Sequence, residues 1–218
     1  MCSTDRNVIF DQIVAERRSH RTFRPEIPPE DDIRRIIHAG LLAPYAAAAV
    51  GTSKDYFRRF FVFRAGTAPM ETAARVAMAT LDQFARGLEQ EFERSPELRG
   101  KAGMFVQRLD AIRKMGKVPG IGTAPYYIVV AERRGFPPVE AQSLAHCLEN
   151  MWLKATALCL GFQVVSITAQ MGNNPEFLRV LGLAPGEWEL MGCAVGYPKE
   201  ELSPAIRPPV EDVTVWLS

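Results

Sequence analysis

The sequence is poor in the residues on which side-chain catalysis usually depends. Only three histidines occur, His20, His38 and His146, and they lie far apart. There is no His-Glu-x-x-His, no Gly-x-Ser-x-Gly and no P-loop, which excludes the commonest zinc-hydrolase, serine-hydrolase and nucleotide-hydrolase designs. The four cysteines, Cys2, Cys147, Cys159 and Cys193, show no Cys-x-x-Cys spacing. Neither a zinc site nor a redox pair is expected, and reduced thiols in a cytoplasm are the expectation. No run of about 18 uncharged apolar residues exists, so no membrane-spanning helix is expected. The opening Met-Cys-Ser-Thr-Asp-Arg carries no hydrophobic core for a signal peptide. A net charge of +1 gives no general pull toward nucleic acid, so cationic function must be local.

One stretch supplies such a local site. Arg17 to Arg24 reads Arg-Arg-Ser-His-Arg-Thr-Phe-Arg, four arginines without a carboxylate, after an apolar-periodic helix containing Val8, Ile9, Ile13 and Val14. Guanidinium groups offer planar forks of donors that suit phosphate oxygens, and Ser19 adds a hydroxyl. The same pattern also describes a solvated surface run at a helix end, and the remainder of the chain decides between the two.

The 218 residues read as one domain spanning 1–218. Pro28 and Pro29, followed by Glu30, Asp31 and Asp32, start a helix that carries Ile33, Ile36, Ile37 and Leu41 and stops by Pro44. The run from Tyr45 to Thr52 is small and nearly featureless; it suits either a tight packing contact or a flat ligand lying close to the backbone. Phe60 to Phe63 reads as a buried strand. Residues 69–116 turn helical, with a break near Ser95-Pro96, and form an insertion or cap between two strands. Pro125 to Ala131 is near-continuously apolar, as a strand buried on both faces should be. The preceding Gly120-Ile-Gly lacks a third glycine and leads into a strand, so a dinucleotide fingerprint is rejected. Val139 to Leu160 is the longest helical pattern, apolar around most of its circumference, with Gly161 expected as its C-cap. His146, Glu149 and Asn150 form a polar stripe on it, better suited to a satisfied seam than to a metal site. A strand or extended loop from Phe162, a short helix from Pro175 to Leu181, and a strand from Leu190 follow. Residues 199–218 carry three prolines, Pro204, Pro208 and Pro209, and form an extended arm with Val213, Val215 and Trp216 as anchors.

A phosphate-type cluster without catalytic side chains points to a binder or to an enzyme whose cofactor performs the chemistry. The order of motifs resembles the FMN-dependent nitroreductase family. The resemblance is carried by Arg17-Arg18-Ser19-His20-Arg21-Thr22-Phe23, by the helix ending at Ala43-Pro44, and by Ala124-Pro125 opening a strand. It continues through Asn150, Leu153, Ala155 and Leu160-Gly161 to Gly196-Tyr197-Pro198 and Arg207-Pro208, covering nearly the whole chain. It implies an α+β fold of three layers, a mixed and mostly antiparallel sheet flanked by helices, in an intertwined homodimer with FMN at the subunit interface. It implies that Arg17 and Ser19 hold the flavin phosphate with Arg207 from the arm, that Arg18 is a further cofactor-binding residue, and that Arg21 lies near the pyrimidine edge. It places Pro44, Tyr45, Ala46 and Ala48 along the ring, and Ser166, Ile167 and Thr168 as a loop whose backbone faces the middle ring. The chain departs from the family at Tyr45, Ala48 and Val50, where Ser, Asn and Gln are usual, so backbone groups or water must serve the flavin edge there.

The activity so implied is hydride transfer from NAD(P)H through flavin N5 to a small aromatic acceptor, such as a nitroaromatic or quinone, with ping-pong kinetics. Alternatives are a flavin-binding protein without turnover and a divergent member that dehalogenates or degrades flavin. A nucleic-acid binder would show steep salt dependence, and the near-neutral charge argues against it.

Overall fold

The computed structural model describes residues 4–45 and 56–217. A four-stranded sheet in the order β1-β2-β4-β3 organises the chain, with every neighbouring pair antiparallel. Its strands are β1 (Arg58–Arg64), β2 (Tyr126–Arg133), β3 (Gly161–Val165) and β4 (Trp188–Gly196). Phe61 faces Val129, Val129 faces Gly192, and Gly192 faces Val165, which fixes the register across all four.

The apolar run of β2 follows from its central place. Side chains alternate between the two faces of a strand, and here both faces are covered. Tyr126, Ile128 and Val130 pack with Ile33, Ile36, Leu144, Cys147, Leu148 and Met151 from α2 (Glu30–Leu41) and α6 (Glu140–Ala157). Tyr127, Val129 and Ala131 pack with Met70, Ala73, Val76, Met171, Phe177 and Leu181 on the other face. Those residues come from α3 (Ala68–Arg94), α7 (Thr168–Met171) and α8 (Pro175–Leu181). The result is the expected three layers, helix, antiparallel sheet, helix. Each fully buried Val or Ile of β2 contributes about 1.5–3 kcal/mol of burial free energy.

Helix boundaries follow local chemistry. Asn174 accepts from the backbone N–H groups of Glu176 and Phe177 at 3.0 Å and so caps α8. Gly182, at φ +63°, closes it. The expected break at Ser95-Pro96 separates α3 from α4 (Pro96–Lys101), and α5 (Gly103–Met115) completes the helical segment between β1 and β2.

Several expectations are corrected. The strand at Phe60–Phe63 is an edge strand: Arg58 and Phe63 are its buried residues, while Val62 is exposed. Helix α6 is not apolar all round within one chain. A stripe of Leu144, Cys147, Leu148, Met151 and Ala155 is buried, whereas His146 and Glu149 face solvent. Its C-cap is not Gly161. The helix ends at Ala157 with Leu158 as its cap residue, and Cys159 adopts the left-handed conformation at φ +56°. Cys159 N–H then bonds Thr156 O at 2.9 Å and Leu160 N–H bonds Ala155 O at 2.8 Å, the paired bonds of a Schellman motif.

Gly161 serves another purpose. A Cβ there would lie 3.0 Å from His20 Cβ and 3.2 Å from Phe23 Cε1. Its absence lets the arginine-rich segment pack directly on the sheet. His20 N–H bonds Phe162 O at 3.0 Å, Arg24 N–H bonds Tyr197 O at 2.9 Å, and Ser19 makes a parallel bridge to Phe162. The segment 19–24 is therefore held by main-chain bonds as an irregular extra strand.

Two parts of the described chain pack little. Helix α1 (Thr4–Glu16) leaves Val8, Ile9, Phe10 and Val14 exposed. Residues 199–217 extend beyond β4 with only a short 3-10 turn at Val210–Val213, and Trp216 is 90% exposed. No helix among the described residues is long and apolar enough to cross a membrane.

Candidate functional site

A cleft of about 470 Å³ opens where the segment 19–24, the end of β3 and the helices α3 and α5 meet. One wall is Ser19 and Arg21 together with Val164, Val165, Ser166, Ile167 and Gln170. The opposite wall is Leu81 and Phe84 of α3 with Phe105, Arg108, Leu109 and Ile112 of α5, and Val118 and Pro119 close one end. Positions 19, 21, 166 and 167 are thus brought together although about 145 residues of chain separate them. The size and mostly apolar lining suit a flat organic ligand, and Ser19, Arg21 and Arg108 supply donors for anionic groups.

Gly120 lets this cleft close. At φ +94° it takes a conformation that suits glycine, and a Cβ there would meet Val165 Cγ2 at 2.9 Å and Ala194 Cβ at 3.0 Å. The 118–122 turn therefore lies flat on β3 and β4. Beneath it Gln163 donates from Nε2 to Pro119 O at 3.2 Å, while its buried Oε1 has no donor. Gln163 borders the cleft, so a polar demand is built into its floor.

The four arginines of the basic segment separate. Arg17 pairs with Glu149 at 3.2 Å and lies over the Trp152 ring at 4.3 Å from its centroid. Arg18 donates from Nη1 to Ser203 O of the C-terminal arm. Arg24 sits over Tyr197. Arg21 is exposed on the cleft wall and has no partner among the described residues. Between them, burial and the Arg18 charge lower the pKa of His20 and keep its imidazole neutral.

Thr168 turns away from the cleft. Its hydroxyl is buried, 2.7 Å from both Tyr127 OH and Val165 O, and fills the space that a side chain at Gly192 would need. Burial raises the Tyr127 pKa, so that phenol is a neutral structural group. Thr168 can contribute to the site through its backbone and by holding the 165–168 turn in shape.

Pro44 and Tyr45 do not line this cleft within one chain. They end a buried polar cluster instead. Arg58 Nε meets Glu132 Oε1 at 2.6 Å, with both side chains fully buried. Its Nη1 donates to Gly40 O at 2.7 Å and to Ala43 O at 3.2 Å, and Nη2 donates to Ser143 Oγ at 3.1 Å. The guanidinium thereby satisfies carbonyls at the end of α2 and complements its dipole. Ser143 Oγ donates to Pro44 O, Tyr45 OH donates to Arg133 O at 3.2 Å, and the Tyr45 ring stacks on Phe57 at 4.0 Å. Ala46, Ala48 and Val50 lie outside the described residues. Arg207 is on the exposed arm and donates to Ile206 O at 2.9 Å.

The sequence marks 69–116 as a helical cap without singling out any of its residues for the site. Leu81, Phe84, Phe105 and Arg108 were missed because helical periodicity shows which residues share a face without showing what that face covers. Gln163 was missed inside an apolar strand, where a lone amide was the available signal. Among the described residues no group of three or more His, Cys, Asp or Glu side chains could hold a metal ion.

Comparison with known proteins completes the picture. Residues 14–197 match the family model described as "Nitroreductase family". Among curated proteins no match reached significance. Solved structures resemble the chain over nearly its whole length. A BluB-like flavoprotein from Clostridium difficile 630 has a TM-score of 0.67 at 20% identity, over 95% of this chain and 98% of that one. A nitroreductase with bound FMN from Bacteroides fragilis NCTC 9343 has a TM-score of 0.65 at 19% identity, over 96% and 98%. Oxidised iodotyrosine deiodinase, bound to FMN and 3-iodo-L-tyrosine, has a TM-score of 0.65 at 20% identity, over 92% and 96%.

Proposed function

Because the chain belongs to the nitroreductase family, we propose that it is an FMN-dependent oxidoreductase that moves a hydride from NAD(P)H to a small aromatic acceptor such as a nitroaromatic or a quinone. The observation that carries this reading is the meeting of Ser19, Arg21, Ser166 and Ile167 in one cleft with an apolar lining. Bound FMN would supply the redox chemistry, which accounts for a site without a catalytic His, Asp or Glu.

The chain's own residues bind, orient and exclude water. Arg21 places a fixed positive charge at one side of the cleft and stabilises negative charge arising on a bound aromatic system. Ser19 is fixed by the main-chain bonds of its segment and offers a hydroxyl to a phosphate; Arg17, Arg18 and Arg207 are the cations proposed for that end, Arg17 and Arg18 exchanging Glu149 and Ser203 O for the phosphate. Ser166, Ile167 and the backbone of Thr168 form the wall beside a ring, and the part of the edge assigned to Pro44, Tyr45, Ala46 and Ala48 would be supplied across the subunit interface of the homodimer. Leu81, Phe84, Phe105 and Ile112 shield the slot from water. The donor set and the undemanded Gln163 Oε1 are compatible with a heteroaromatic ligand that carries both donors and acceptors. A homodimer belongs to the same reading, supported by the exposed apolar residues of α1 and the arm, and a cytoplasmic location is proposed with it.

The test is the near-ultraviolet and visible absorbance of the purified protein, before and after heat release of any cofactor. Flavin bands at about one FMN per chain, bleached by NADH or NADPH without oxygen, are expected. A colourless protein that takes up no added FMN overturns the reading. A yellow protein that neither nucleotide bleaches favours a flavin-binding protein without turnover.

A further inference from the structure

The cleft has a charge asymmetry that the flavin reading leaves unassigned. No lining residue is acidic, yet two are arginines on opposite walls, Arg21 and Arg108. The family resemblance assigns Arg21 to the cofactor and gives no role to Arg108, which lies on α5. Its neighbours on that helix pair differently. Arg113 meets Asp82 at 3.1 Å and Glu89 at 3.8 Å, so these two α3 carboxylates are engaged there. Arg108 is exposed and has no partner among the described residues.

The same wall presents aromatic surface. Phe84 and Phe105 meet edge to face, with ring centroids 6.0 Å apart and planes at 87°. They are 39% and 46% exposed although both line the cleft. Such a pair offers a face and an edge to a further ring. A guanidinium beside it offers a planar fork that matches a carboxylate with two parallel hydrogen bonds.

We propose that Arg108, with Phe84 and Phe105, selects the acceptor of this cleft, and that the acceptor is a flat aromatic acid: the ring lies against the phenylalanines and its carboxylate is read by Arg108. The inference rests on the oxidoreductase reading for the word acceptor; the binding preference rests on the cleft alone. The absence of carboxylates from the lining disfavours cationic ligands, and a neutral ring gains nothing from Arg108. The charge therefore discriminates among aromatic compounds of one shape.

The experiment is a calorimetric titration of the purified protein, carrying whatever cofactor it holds, with para-nitrobenzoate and with para-nitrobenzamide. These ligands share shape and differ in charge. The wild type is expected to bind the carboxylate more tightly. Arg108→Gln is expected to weaken the carboxylate about tenfold, as loss of a charge-assisted hydrogen bond implies, and to leave the amide within about twofold. Arg108→Lys should restore part of the loss, and Arg108→Glu should reverse the order of the two ligands. Equal losses for both ligands, no loss for either, failure of the wild type to bind the carboxylate, or an effect confined to NADPH binding overturns the proposal. The parent reading is judged separately by flavin content and by NAD(P)H bleaching of the wild type. If those fail, the two titrations still decide what Arg108 reads.

Discussion

Both charges of the Arg58–Glu132 pair are removed from water, and buried charges are tolerated only while their partners remain. Arg58→Met deletes the cation and is expected to cost about 3–5 kcal/mol in urea unfolding. The loss should depend on pH in a defined direction. Burial pushes the Glu132 carboxyl up, against the opposing pull of Ser143 and Arg58. A carboxyl raised in the folded state favours folding at acid pH and loses that contribution as pH rises through its folded value. With Arg58 gone the opposing pull weakens, so the variant should approach wild type at acid pH and diverge as pH rises. His20 gives a second pH effect. Its folded pKa is lowered, by burial first and by Arg18 second. Above about 6.5 the imidazole is neutral in both states and contributes nothing. Below that value the unfolded chain takes the proton first, so stability falls as pH drops. Denaturant midpoints at about pH 7.5 and 5.5 should converge in His20→Asn; an unchanged pH slope would remove His20 from the account.

At the scale of elements, the corner between α6 and β3 joins stability to the site. The Schellman motif places Cys159 at φ +56°, a conformation that costs a non-glycine residue free energy. Cys159→Gly relieves that cost while adding entropy to the unfolded chain, and a net gain of about 0.5–1 kcal/mol is expected in thermal or denaturant unfolding. A loss would mean that the thiol makes a contact of its own. Two residues later Gly161 permits the approach of His20 and Phe23. The geometry of that corner therefore sets where Ser19 and Arg21 stand on the cleft wall. Similarly, the Arg58 cluster at the end of α2 sets where Pro44 and Tyr45 leave the helix.

For the whole molecule, a single chain leaves too much apolar surface in two places. Val8, Ile9 and Phe10 of α1 are each more than half exposed, and Ile206, Val215, Trp216 and Leu217 of the arm are each more than 80% exposed. Monomeric proteins rarely leave apolar residues grouped in this way. Light scattering of the purified protein is expected to give twice the chain mass, and deletion of residues 203–218 is expected to shift it toward one chain. A monodisperse monomer at micromolar concentration would end the dimer reading and with it the role given to Arg207.

Local pattern alone determined much of this protein. The unbroken apolar run before Arg133 required a strand covered on both faces, because its alternate residues, Ile128 and Val129, must each find a hydrophobic layer. Ser95-Pro96 marked the break in the helical segment, and Pro175 with Gly182 bounded α8, because the backbone limits of Pro and Gly act where they stand. The order of motifs from Arg17 to Pro208 carried the family. Tertiary structure alone decided the rest. Nothing in the sequence around Arg58 marks it as buried, and only its meeting with Glu132, 74 residues away, shows both side chains to be fully buried. The arginines from 17 to 24 read as one cluster, yet Glu149, Trp152 and the arm draw Arg17 and Arg18 away and leave Arg21 on the cleft. Arg108 and Phe105 read as ordinary residues of an amphipathic helix until α5 is laid over β3. Periodicity records which residues share a face of their own element. Charge pairing and ligand contact depend on distance in space, and that distance is set only when the layers close.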